Sequence, residues 1–105
     1  MSANQPEKKR LRWKKHAPET GLRAVGAGPY RSSDLHDGFN VYATVYPSGG
    51  DWRGPLLGWY WVSNADLVGE YVNTCTELLQ DEAKAKANAK AFVVSMLAAR
   101  QEQPK

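Results

Sequence analysis

The chain has 105 residues, of which 42% are hydrophobic and 24% charged, with a formal net charge of +3. These are ordinary values for one globular domain, which at this size buries only about 60–68% of the surface its unfolded form exposes. A single cysteine, Cys75, excludes an internal disulfide framework, and no apolar run approaches the roughly 20 residues of a membrane span.

The opening residues 1–5 carry no signal-peptide core, so the expected localisation is cytoplasmic, without membrane contact. The charge is unevenly spread. Residues 1–23 hold seven Lys or Arg against two Glu, residues 24–82 hold two Arg against eight acids, and residues 83–105 hold five bases against Glu102. A basic arm, an acidic body and a basic C-terminal segment fit either nucleic-acid contact through the ends or self-complementarity.

Residues 1–9 are polar, contain Pro6 and lack apolar periodicity, which predicts a disordered basic tail. Leu11 and Trp13 then alternate with Arg12 and Lys14, as a short amphipathic strand or a basic arm with an aromatic anchor would. Residues 16–21 read as a loop and 26–29 as a turn or bulge, because Gly and Pro punctuate both.

Asp37-Gly38 lies between the stretch 30–35 and the alternating run 39–46, a pattern that predicts a two-residue type I′ hairpin. Unbroken alternation puts Phe39, Val41, Ala43 and Val45 on one face and Asn40, Tyr42, Thr44 and Tyr46 on the other. A Gly- and Pro-rich loop over 47–55 leads into a strand over 56–63, in which Trp59 and Trp61 share one face and Tyr60 takes the opposite one. Both faces of the sheet therefore carry aromatic surface.

Thr74-Cys75-Thr76-Glu77 matches a capping box and predicts a helix over 77–100. Leu78, Ala85, Ala89, Phe92, Val93 and Met96 recur at helical spacing, while Glu82, Lys86 and Lys90 mark a solvated side. Asp81 and Glu82 near its start and Arg100 near its end complement the helix dipole. Residues 101–105 are expected to fray.

The predicted fold class is therefore α+β: a single domain over 10–100 in which an antiparallel sheet of three or four strands packs against one long C-terminal helix. Its expected core is Phe39, Val41, Val45, Trp59, Trp61, Leu78, Ala85, Ala89, Phe92, Val93 and Met96.

Catalysis is not expected. His16 and His36 are the only histidines, and Asp34-Leu35-His36-Asp37 crowds a turn that local hydrogen bonding explains, without a metal-ligand spacing. Cys75 next to a helix start reads as a small residue at that position before it reads as an activated thiol. Gly26-Ala27-Gly28 lacks the third glycine and the following helix of a phosphate loop, and Ser32-Ser33 has no histidine placed to activate it. No cofactor or metal is implied.

Two binding readings remain. In the first, a protein partner or a second copy of the chain meets the sheet face bearing Tyr42, Tyr46 and Tyr60, bordered by Trp52 and Arg53, residue types that dominate interface hot spots. The same tyrosines would also line a sheet face with no partner, since Tyr is a good strand former with a wettable hydroxyl. In the alternative, Lys8, Lys9, Arg10, Arg12, Trp13, Lys14 and Lys15 grip nucleic-acid phosphates beside sheet aromatics, or the sheet lies in a duplex groove.

The meander with scattered Trp, followed by Gly69-Glu70-Tyr71-Val72-Asn73-Thr74 and a helix with Asp81-Glu82-Ala83-Lys84-Ala85-Lys86-Ala87, resembles small proteins encoded by tailed phages and prophages. That resemblance implies a non-enzymatic accessory role in binding a host protein. The same strand and helix order resembles the AP2-like and arm-type DNA-binding domains of phage integrases, which use basic residues on the exposed sheet face. Here that face would present Asn40, Tyr42, Thr44, Tyr46 and Tyr60 with few bases, a departure from that pattern, and Arg12, Lys14, Arg31 and Arg53 are the bases placed to border it.

Overall fold

The computed structural model of the chain describes residues 10–16, 30–50 and 54–102. The expected tail over 1–9, the turn at 26–29, Trp52, Arg53 and residues 103–105 lie outside the described residues.

Four strands, β1 (Arg12–Lys15), β2 (Ser33–His36), β3 (Val41–Ser48) and β4 (Gly58–Ser63), precede a one-turn helix α1 (Ala65–Val68) and the long helix α2 (Glu82–Glu102). The strands form one antiparallel sheet in the order β1-β2-β3-β4, and α2 packs across β3 and β4. This is the α+β layout expected from the sequence, with four strands. α2 reaches Glu102, into the stretch expected to fray. No helix among the described residues is long and apolar enough to cross a membrane.

The register assigns each strand residue to a face. Trp13 pairs with Leu35, Leu35 with Ala43, and Val45 with Trp61, so these side chains share the inner face. Against them α2 presents Ala85, Ala89 and Val93, three fully buried residues spaced four apart. The alanines let the helix backbone approach the sheet, so the bulk of the layer comes from Trp59, Trp61, Leu35 and Val45. Phe92 tilts against Trp61 with ring centroids 5.3 Å apart, and Phe92 and Met96 are half-buried at the margin.

Two elements depart from the sequence expectation. Leu35 pairs with Ala43 but His36 pairs with Val41, which leaves Tyr42 as the extra residue of a β-bulge. One inserted residue reverses the alternation. Val41 therefore shares the outer face with His36 and is 37% exposed, whereas Tyr42, expected on the binding face, is 2% exposed and belongs to the core. Phe39, expected in the core, is 95% exposed.

The hairpin itself is wider than a two-residue turn. Residues 37–40 connect β2 to β3, closed by the Asp37 N–H donating to Asn40 O at 3.3 Å. Asp37 Oδ1 accepts from the backbone N–H groups of Phe39 and Asn40, both at 2.9 Å, and Gly38 supplies φ +102°. The aspartate side chain substitutes for backbone partners that a longer loop lacks.

The second departure is the start of α2. Thr74 does not cap a helix: its N–H donates to Trp61 O, and its Oγ1 accepts from the Trp61 N–H, each at 3.0 Å. Farther along, Trp59 and Leu79 exchange backbone hydrogen bonds of 2.7 and 2.8 Å. The segment 72–79 thus runs along the free side of β4 and pairs groups that an edge strand would leave open. Glu77 closes a turn onto Thr74 O, and Leu78 is half-buried rather than part of the helix core. The helix instead begins after Asp81, whose Oδ1 accepts from the Ala83 N–H at 3.0 Å as an N-cap does.

Candidate functional site

With α2 on the inner face, the outer face is what the sheet can offer a partner. By register it carries Arg12 opposite His36, then Lys14, Asp34, Thr44 and Val62 in a row across all four strands, and Tyr46 opposite Tyr60. Successive residues of β1 point to opposite faces, so the consecutive Lys14 and Lys15 divide between them.

That division splits the basic segment singled out in the sequence. Arg12 and Lys14 stand on the outer face. Lys15 and Trp13 belong to the inner one: Lys15 Nζ lies 3.1 Å from Glu82 Oε2, and Lys86 Nζ lies 5.6 Å from the centre of the Trp13 ring. Arg10 is exposed just before the strand, while Lys8 and Lys9 lie outside the described residues.

The aromatic set is also divided. Tyr46 and Tyr60 form a cross-strand stack, with centroids 5.3 Å apart and planes 23° from parallel. That separation is close to the roughly 4.8 Å between neighbouring strands, so the rings stand side by side over the paired positions of β3 and β4. The two rings are turned toward each other. Tyr42 is excluded by burial, and Trp52 and Arg53 lie outside the described residues.

Asp34, the acid in the middle of this face, is occupied. Its Oδ1 accepts from the Thr44 hydroxyl at 2.8 Å and lies 2.9 Å from His16 Nε2. His16 continues the pairing of β1, since its N–H donates to Ser32 O. The exposed acids Asp66, Glu70, Glu77 and Asp81 lie on α1 and on the segment that follows it, toward the β4 edge. Charge therefore separates across the sheet, basic at β1 and acidic beyond β4.

Other chemistry has little material. Among the described residues, no three His, Cys, Asp or Glu side chains converge as a metal site requires. Cys75 is exposed in a turn, its N–H donating to Asn73 Oδ1, rather than next to the start of a helix. The sequence reading missed Phe39 at the hairpin tip and His36 on the outer face. Asp37 was the available signal for Phe39, because an aspartate that caps a longer loop puts the second residue after it at the tip, whereas the face of His36 follows from the strand register.

No protein-family model, curated protein or solved structure matches this chain.

Proposed function

We propose that this is a non-enzymatic accessory protein that binds duplex DNA with the outer face of its sheet. The observation that carries the reading is the register of β1, which puts Arg12 and Lys14 on the same face as the Tyr46–Tyr60 pair. The cationic and aromatic residues, which the sequence could assign to different partners, thereby become one surface. Arginine and lysine neutralise phosphates, and tyrosine hydroxyls donate to phosphate oxygens. Rings that already stack on each other favour a duplex over a single strand, because a stacking platform needs ring faces that bases can cover. The resemblance to integrase arm-type domains supports the same partner, and the resemblance to phage and prophage proteins supports an accessory role in that setting.

The second reading is a protein partner, a second copy of the chain included. The stacked tyrosines favour it, since Tyr is an interface hot-spot residue and a stacked pair is already ordered before binding.

Fluorescence anisotropy of a labelled duplex separates the two. Neutralisation of about two phosphates by Arg12 and Lys14 weakens binding roughly 12-fold between about 50 and 200 mM salt. Absence of duplex binding at the lower salt overturns the DNA reading. Co-purification of a partner that Tyr46→Ser and Tyr60→Ser abolish would then favour the protein reading.

A further inference from the structure

Phe39 is the most exposed large apolar side chain described, at 95%, yet the backbone that carries it is firmly held. The Asp37 carboxylate accepts from the N–H groups of Phe39 and Asn40 and from the Tyr42 hydroxyl, whose ring is buried. On the other side, Asn64 donates from its side chain to Val41 O and from its backbone to Tyr42 O, both at 2.9 Å. The turn is thus fastened to the core and to the end of β4. An exposed phenyl ring on a rigid support loses little freedom when it enters a second surface.

Its surroundings indicate which surface. Arg12 reaches the same turn: a Cβ built on Gly38 would lie 3.5 Å from Arg12 Nη2. Val41, on the outer face one strand position from the turn, is exposed as well. A guanidinium that reaches Gly38 and an exposed valine at the start of β3 therefore flank the turn that carries the phenyl ring. The cation complements a phosphate, and the apolar group complements the interior of a base stack.

Resting on the duplex-binding reading, we propose that Phe39 is an apolar wedge that inserts at a base step while Arg12 holds a neighbouring phosphate, so that the bound duplex is kinked. Side chains of this type partly unstack a step, and the bend brings more of the duplex against the protein. Rigidity at 37–40 matters because a wedge on a loose loop would fold away from the stack.

The test uses the full chain with two duplexes, one carrying 2-aminopurine at successive positions and one labelled at both ends for energy transfer. With the wild-type protein, 2-aminopurine emission should rise at one step, and the ends should approach. Phe39→Ala should keep salt-dependent binding, weakened by about tenfold, and lose both signals, whereas Phe39→Leu should retain them. Thermal unfolding controls for folding, and an exposed side chain should leave it unchanged. A Phe39→Ala variant that kinks the duplex like the wild type overturns the wedge and leaves the duplex reading in place. A wild-type chain that binds without either signal does the same, and a wild-type chain that binds no duplex overturns both.

Discussion

The Tyr42 hydroxyl donates to Asp37 Oδ2 at 2.7 Å, linking a ring in the core to the carboxylate that shapes the β2–β3 turn. Bulge and turn are therefore one unit. Tyr42→Phe keeps the ring and removes the bond, at a cost of about 1–2 kcal/mol in chemical denaturation. Among the described residues, Asp37→Ala removes the acceptor of the Phe39 and Asn40 N–H groups and of the Tyr42 hydroxyl, and should cost more than Tyr42→Phe. Equal losses would mean that the aspartate acts on stability only through Tyr42.

Thr74 and Asp81 separate edge pairing from helix capping. Thr74→Val deprives the Trp61 N–H of its acceptor and should cost about 1–2 kcal/mol without lowering helical circular dichroism. Asp81→Ala removes the side-chain acceptor of the Ala83 N–H and should cost about 0.5–2 kcal/mol, with fraying at the start of α2. Loss of helical signal in the threonine variant would return the helix start to residue 77.

Gly58 sits where the 72–79 segment closes on β4. An added Cβ would lie 2.8 Å from Leu79 O and 2.9 Å from Leu78 Cβ, and the first of these is backbone that cannot swing away. Gly58→Ala should cost about 1–3 kcal/mol. Hydrogen exchange should accelerate at the Trp59 and Leu79 amides, which bond each other across this gap. Unchanged exchange there would show that the segment tolerates the extra methyl.

Neighbouring lysines on β1 should behave differently in duplex binding. Arg12→Ala and Lys14→Ala, on the outer face, should each lower the slope of log affinity against log salt by about 1. Lys15→Ala should leave it unchanged, because Lys15 meets Glu82 on the helix side. Its effect on stability should stay within about 1 kcal/mol, as expected of an exposed ion pair. Equal slopes for all three variants would deny the outer face its role.

Much of the architecture was legible from local pattern. Alternation put Trp59 and Trp61 on one face and Tyr60 on the other, and helical spacing marked Leu78, Ala85, Ala89, Phe92, Val93 and Met96, of which Ala85, Ala89 and Val93 are fully buried. These follow from the two-residue period of a strand and the 3.6-residue period of a helix, which each segment carries by itself. What tertiary structure decided were the places where distant groups competed for the same backbone. An extra residue at Tyr42 turned Val41 off the core face and brought in a tyrosine whose hydroxyl Asp37 receives, while Phe39 falls in the turn between the strands. The open edge of β4 claimed Thr74 and Leu79 before a helix could, since unpaired strand groups cost more than a delayed helix start. The same pairing of strands divided Arg12 and Lys14 from Trp13 and Lys15. Among the described residues, part of a basic run in the sequence became two charges on the outer face and two residues that meet α2.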